Sequence, residues 1–135
     1  MSAGLLAFGV LAPVWATTLE DRRVQIAMVT AGVGTLGVAA APLGSSFGDG
    51  PHVAAAAVSY VAMALTPALG ARTFGAPRTS YALTALAGAL LVGSTLGKYD
   101  GALQRAGLGV TDTWMIVQAV RQWTSGPTGA GRPRK

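Results

Sequence analysis

Residues 42–72 read PLGSSFGDGPHVAAAAVSYVAMALTPALGAR, and this stretch decides the fold. A loop carrying Asp49 and His52 opens into nineteen uncharged residues, Val53 to Ala71, which Arg72 closes. About 20 apolar residues is the length of helix that crosses a bilayer's hydrocarbon core. The loop sets the chain's single histidine and one of its five acidic residues at the mouth of that helix. The stretch therefore predicts a membrane span with a polar entrance.

Working outward, the same pattern repeats on both sides. Val24 to Gly44 is a run without a charge, and so is Thr79 to Gly97. Met1 to Leu19 is a further apolar run, which Glu20-Asp21-Arg22-Arg23 stops. It lacks the basic start of a signal peptide, so a span is the better reading. The last segment is anchored by Arg105 and Arg121, about 24 Å apart along a helix, which can cross if both side chains snorkel. The sequence thus predicts an all-α integral membrane bundle of about five spans, near 1–19, 24–44, 53–71, 79–97 and 105–121. The tail from Thr124 to Lys135 is Gly, Pro, Thr and basic residues, and is expected to be disordered.

Composition agrees. Only 11% of the 135 residues are charged, against roughly a quarter in soluble domains, and the charges bunch between neutral runs. The net charge of +5 does not point to nucleic acid, because the basic residues sit at segment ends and gather on no aromatic-laced face. Without cysteine, disulfides, thiolate metal sites and cysteine nucleophiles are excluded. Eight arginines against two lysines, with abundant alanine and glycine, point to a high-GC bacterial genome, and so to a bacterial plasma membrane.

Charge also orients the chain. With the N-terminus outside, Arg22, Arg23, Arg72, Arg78, Arg121 and the tail's three basic residues lie inside, and only Lys98 and Arg105 lie outside. The positive-inside rule then places the C-terminus in the cytoplasm. Asp49, His52, Asp100 and Arg105 fall on the outer side, with Asp112 in the outer half.

Two glycine patterns read as packing, not chemistry. Residues 32–37, GVGTLG, match GxGxxG letter for letter, but a dinucleotide fingerprint needs a strand before it and a helix start within it. Mid-span, Gly32 and Gly37 instead let helices approach closely. Ala85, Ala89, Gly93 and Gly97 recur every four residues and line one helix face, a surface for another helix within the chain, a second copy or a partner membrane protein.

The candidate site is the outer polar group of Asp49, His52, Arg105 and Asp112. His52 could relay protons or ligate a metal, and a turn could bring Asp49 against it. With Asp100 or Asp112 the pair could hold a hard divalent ion. The simpler expectation is that Asp49 caps the third helix. Asp112 is the sharper candidate, since a carboxylate within an apolar helix marks a functional site unless it pairs with Arg105 or Lys98. No nucleophile-elbow spacing appears, so nothing in the sequence supports an enzyme, and no cofactor is implied.

PLGSSFGDGPH, the Ala-rich span, the basic turn, the Gly-rich span, GALQR and a helix ending WMIVQAVRQW together resemble the DUF998 family over residues 24–123. These are bacterial polytopic membrane proteins of unassigned function, distantly similar in pattern to the Frag1/DRAM/Sfk1 membrane proteins. The resemblance carries Asp49 and His52 onto the family's loop motif and Arg105 onto its Gly-Leu-x-x-Arg element. Two departures stand out. Phe47 is followed by Gly48 where the family has Phe-Pro, and members have more helix at the N-terminus, as if this chain were short or lacked an upstream segment. The expected role is a non-enzymatic membrane module that binds a lipid headgroup or small ligand on its outer face. A proton-coupled transporter using Asp112 and His52, and a membrane enzyme acting on lipids, are the alternatives.

Overall fold

The computed structural model describes residues 2–44, 46, 48–97 and 100–124, and among these it is all-α. Five helices follow one another: α1 Ser2–Ala16, α2 Arg22–Ala40, α3 Gly50–Leu69, α4 Pro77–Gly93 and α5 Asp100–Thr124. Helix α1 packs on α2, α2 on α3, and α3 on both α4 and α5, which also pack on each other. The chain is thus two layers of antiparallel helices that share α3.

The helix ends follow from local chemistry and differ from the predicted spans. Helix α2 starts two residues early because Asp21 caps it, accepting the Arg23 N–H at 2.9 Å. It stops at Ala40 because Pro42 follows Ala41, and a residue before proline is pushed out of the helical region; Ala41 has φ −119° and ψ 75°. Helices α3 and α4 both begin earlier than expected, with Pro51 and Pro77 in their first turns, where a missing N–H costs nothing. Helix α4 ends at Gly93, and the Ser94 and Thr95 hydroxyls fold back on the Leu91 and Val92 carbonyls.

The largest correction is α5, which begins at Asp100 and not at Arg105. Its added first turn is held from outside the helix. The Gln104 amide donates to the Tyr60 hydroxyl of α3, and Leu103 lies against Gly93 of α4. The predicted polar loop at Lys98–Gly101 therefore shortens, and its Lys98 and Tyr99 lie outside the described residues, as does the tail beyond Thr124.

Helices cross closely where glycine or alanine allows it. A Cβ on Gly32 would stand 2.5 Å from the Pro13 ring and 2.9 Å from the Gly9 carbonyl, so α1 and α2 touch backbone to backbone there. A Cβ on Gly107 of α5 would stand 3.3 Å from the Ala87 carbonyl, so the missing side chain lets α5 close on α4 there. The core is made of small residues and methionine: Ala12, Ala16, Val24, Met28, Met63 and Met115 pack around Trp114.

One end of the bundle is aromatic. Phe74, in the turn between α3 and α4, stacks on Trp15 and meets Trp114 edge-on, with ring centroids 6.5 and 5.2 Å away. At the same end the Trp15 indole donates to Gln122 at 3.0 Å, and the Thr73 hydroxyl donates to Asp21 at 2.8 Å. These contacts gather the ends of α1, α3 and α5 with the starts of α2 and α4. Arg22, Arg23, Arg72, Arg78 and Arg121 are all exposed there.

Two helices, α2 and α3, are long and apolar enough to cross a bilayer among the described residues. Core helices of soluble proteins pass that test too, but only 39% and 33% of these two apolar windows is buried. Large apolar side chains are exposed on all five helices, among them Leu11, Val33, Val61, Val92 and Ile116.

Candidate functional site

At the end opposite Arg22, Arg23, Arg72, Arg78 and Arg121, Gly44 and Asp49 are joined across the loop before α3. Gly44 adopts φ +74°, a conformation easy for glycine alone, and its N–H donates to the Asp49 carboxylate at 2.8 Å. Asp49 therefore reaches back into the loop and makes no side-chain cap to α3, contrary to the expected cap. His52 lies in the first turn of α3, half-buried, with its Nδ1 2.8 Å from the Ala41 carbonyl. Since a carbonyl only accepts, Nδ1 carries the proton and Nε2 is left as an acceptor when the ring is neutral.

Asp49 and His52 thus each have a separate loop partner. Arg105 is exposed on the first turns of α5. Asp112 lies two turns further along, half-buried, and its Oδ1 is buried without a hydrogen-bond partner in the structure. The Asp112–Arg105 pair is therefore not made through that oxygen, and Lys98, the other expected partner, lies outside the described residues. No three His, Cys, Asp or Glu side chains come together to hold a metal ion among the described residues. The Asp100 side chain, a possible fourth ligand, is not among them.

The small-residue positions divide between two environments. Gly32 and Gly37 face neighbouring helices, Gly37 with a built Cβ 3.0 Å from the Ala55 methyl. Ala85 and Ala89 are exposed, Gly93 makes only ordinary contact with Leu103, and Gly97 lies beyond the end of α4 in open space. Ala85 and Ala89 accordingly point away from the other helices, while Gly93 meets the start of α5. The face α4 turns inward carries Ser80 and Ala87 instead, and Ser80 accepts the Trp114 indole N–H at 3.1 Å.

Sequence reading missed a groove of about 350 Å³ between α4 and α5 at the arginine end. Leu83, Val110 and Val117 give it an apolar floor, and Thr79, Gln118 and Arg121 supply its polar groups. The available signal was Gln118, a polar residue inside the apolar run Trp114–Val120 with an arginine one turn later.

No family model matches this chain, and no curated protein or solved structure matches it either.

Proposed function

We propose that the chain is a multi-pass protein of the bacterial plasma membrane, crossing five times with its N-terminus outside and its C-terminus in the cytoplasm. The observation that carries this reading is the exposure of large apolar side chains on every helix, while the described arginines other than Arg105 collect at one end. Large exposed apolar surface of this kind marks contact with a membrane or a partner. In a bilayer it is the lipid-facing side. Helix α1, about 22 Å long at 1.5 Å per residue, is short for a 30 Å core and is accommodated by local thinning and flanking polar residues.

Its role is that of a non-enzymatic membrane module. The outer loop end, with Asp49, His52 and Arg105, meets lipid headgroups or a small ligand, and the exposed Ala85–Ala89 face of α4 serves assembly with a second copy or a partner membrane protein. The DUF998 resemblance is consistent with this role and rests on its short motifs. Because the chain has no cysteine, single-cysteine variants test the placement cleanly. Ser46→Cys should react with an impermeant maleimide added to intact cells, and Arg72→Cys only after lysis. The reverse pattern would overturn the orientation, and labelling of both in intact cells would overturn the membrane reading.

One observation favours a second reading. The buried, unpartnered Oδ1 of Asp112 suits a carrier that binds a proton or cation within the membrane. Flux in proteoliposomes that Asp112→Asn abolishes, with the fold retained, would replace the module with a transporter.

A further inference from the structure

The groove between α4 and α5 lies at the opposite end from the outer polar group and has the form of a lipid site. Along α5 it runs from Val110 to Arg121, about 17 Å of helix rise and close to the depth of one leaflet, half of a roughly 30 Å core. Its floor is apolar and its mouth is positive. At that mouth α4 starts on Pro77 with no side-chain cap, so the N–H groups of Arg78 and Thr79 have no helical acceptor. They sit at the positive end of the helix dipole, and the groove that begins there also carries Arg121.

A second, independent feature lies one turn deeper. The Gln118 side chain is only 3% exposed and lines the same groove. A polar side chain set in an otherwise apolar wall is placed to meet a polar group of a ligand that reaches below the mouth. The groove between α2 and α3 makes an instructive contrast. It also ends on an arginine, Arg23, but its helix start is capped by Asp21 and no buried amide faces it.

We propose that the α4/α5 groove holds one anionic phospholipid of the arginine-side leaflet. The phosphate sits at Arg121 and the α4 start, the Gln118 amide donates to an ester carbonyl about one turn deeper, and an acyl chain lies on Leu83, Val110 and Val117. Free phosphate would use the mouth alone and leave Gln118 and the apolar floor without purpose. A choline headgroup would set a cation against Arg121. The proposal rests on the membrane placement above and adds a ligand class and a second site to it.

The test is native mass spectrometry of protein released from nanodiscs of equimolar phosphatidylglycerol and phosphatidylcholine. Wild type should retain one phosphatidylglycerol in preference to phosphatidylcholine by roughly fivefold, the effect of one arginine at an anionic surface. Arg121→Gln should abolish the preference, Gln118→Leu should lower retention, and Arg72→Gln, at the same end but outside the groove, should change neither. Circular dichroism confirms that each variant keeps its helices. Equal retention of both lipids by wild type, or loss of the preference in Arg72→Gln as much as in Arg121→Gln, would overturn the site. So would release of the lipid by excess inorganic phosphate. A wild-type chain that does not enter nanodiscs would overturn the membrane reading and the groove with it, whereas one that inserts without selectivity overturns the groove alone.

Discussion

Thr35 of α2 and Ser59 of α3 meet with their hydroxyl oxygens 2.8 Å apart in a buried seam. Both also turn to the Ala31 carbonyl, at 2.8 Å from Thr35 and 3.0 Å from Ser59. Every polar atom of this small network has a partner inside the bundle, as an apolar surrounding requires. The seam closes this far because Gly34 stands beside it.

Gly34→Ala should therefore be among the more damaging small substitutions in the chain. The new methyl would lie 2.9 Å from the Ser59 Cβ and backbone nitrogen and 3.0 Å from the Ala55 carbonyl, and backbone does not yield as a side-chain end does. A loss of about 1–3 kcal/mol is expected, as for other overpacked cores. Gly88→Ala, in the interior of α4 with open space around it, should be neutral or stabilise by up to roughly 1 kcal/mol. Thermal unfolding in detergent compares the two, and equal effects would mean that α2 and α3 do not approach as described.

Asp112→Leu should raise thermal stability. Its Oδ1 is buried without a partner, and an unsatisfied buried polar group costs about 1–3 kcal/mol. Leucine of similar reach removes that cost. A fall in the unfolding midpoint would show instead that the carboxylate holds the bundle together, and would favour a purely structural role for it.

The number and order of helices were legible in the sequence because charge pairs, Pro42, Pro77 and the Gly-rich turns punctuate long neutral runs. The start of α5 was not. Asp100-Gly101 reads locally as a turn, and only tertiary contacts, Gln104 to Tyr60 and Leu103 to Gly93, draw it into the helix. A period of four likewise identifies Ala85 and Ala89 as one face without saying what the face meets, whereas the close crossings at Gly9 and Gly107 carry no repeat that would announce them. At the candidate site, the residue types Asp49, His52 and Asp112 stood out, but their partners depend on backbone carbonyls and N–H groups that sequence does not rank.

Acid should weaken the arginine end slightly. The Thr73 hydroxyl, and then the Arg23 N–H, hold the Asp21 carboxyl below its ordinary value of 3.8. A lowered folded-state pKa contributes stability that is present above the unfolded value and is lost as pH falls through the folded one. The loss therefore falls below about pH 4, and at this surface position it amounts to less than about 1 kcal/mol. Thr73→Val should bring the Asp21 pKa back toward 3.8 and shrink the stability difference between pH 7 and pH 3. An unchanged difference would mean that the Thr73 contact contributes nothing.

Trp15 and Gln122 join the first helix to the last across 107 positions, with the indole N–H donating to the amide oxygen at 3.0 Å. Helix α1 otherwise packs chiefly on α2, through Gly9, Pro13 and Gly32. Gln122→Leu should therefore free the end of α1 without unfolding the bundle, since α2 still holds it. A neutral hydrogen bond contributes about 0.5–1.5 kcal/mol, so amide exchange in the turn around Trp15–Leu19 should quicken by roughly twofold to tenfold. Exchange in α3 should stay as in the wild type. Uniform acceleration across all helices would show that α1 is not an outer element but part of one cooperative unit with α5.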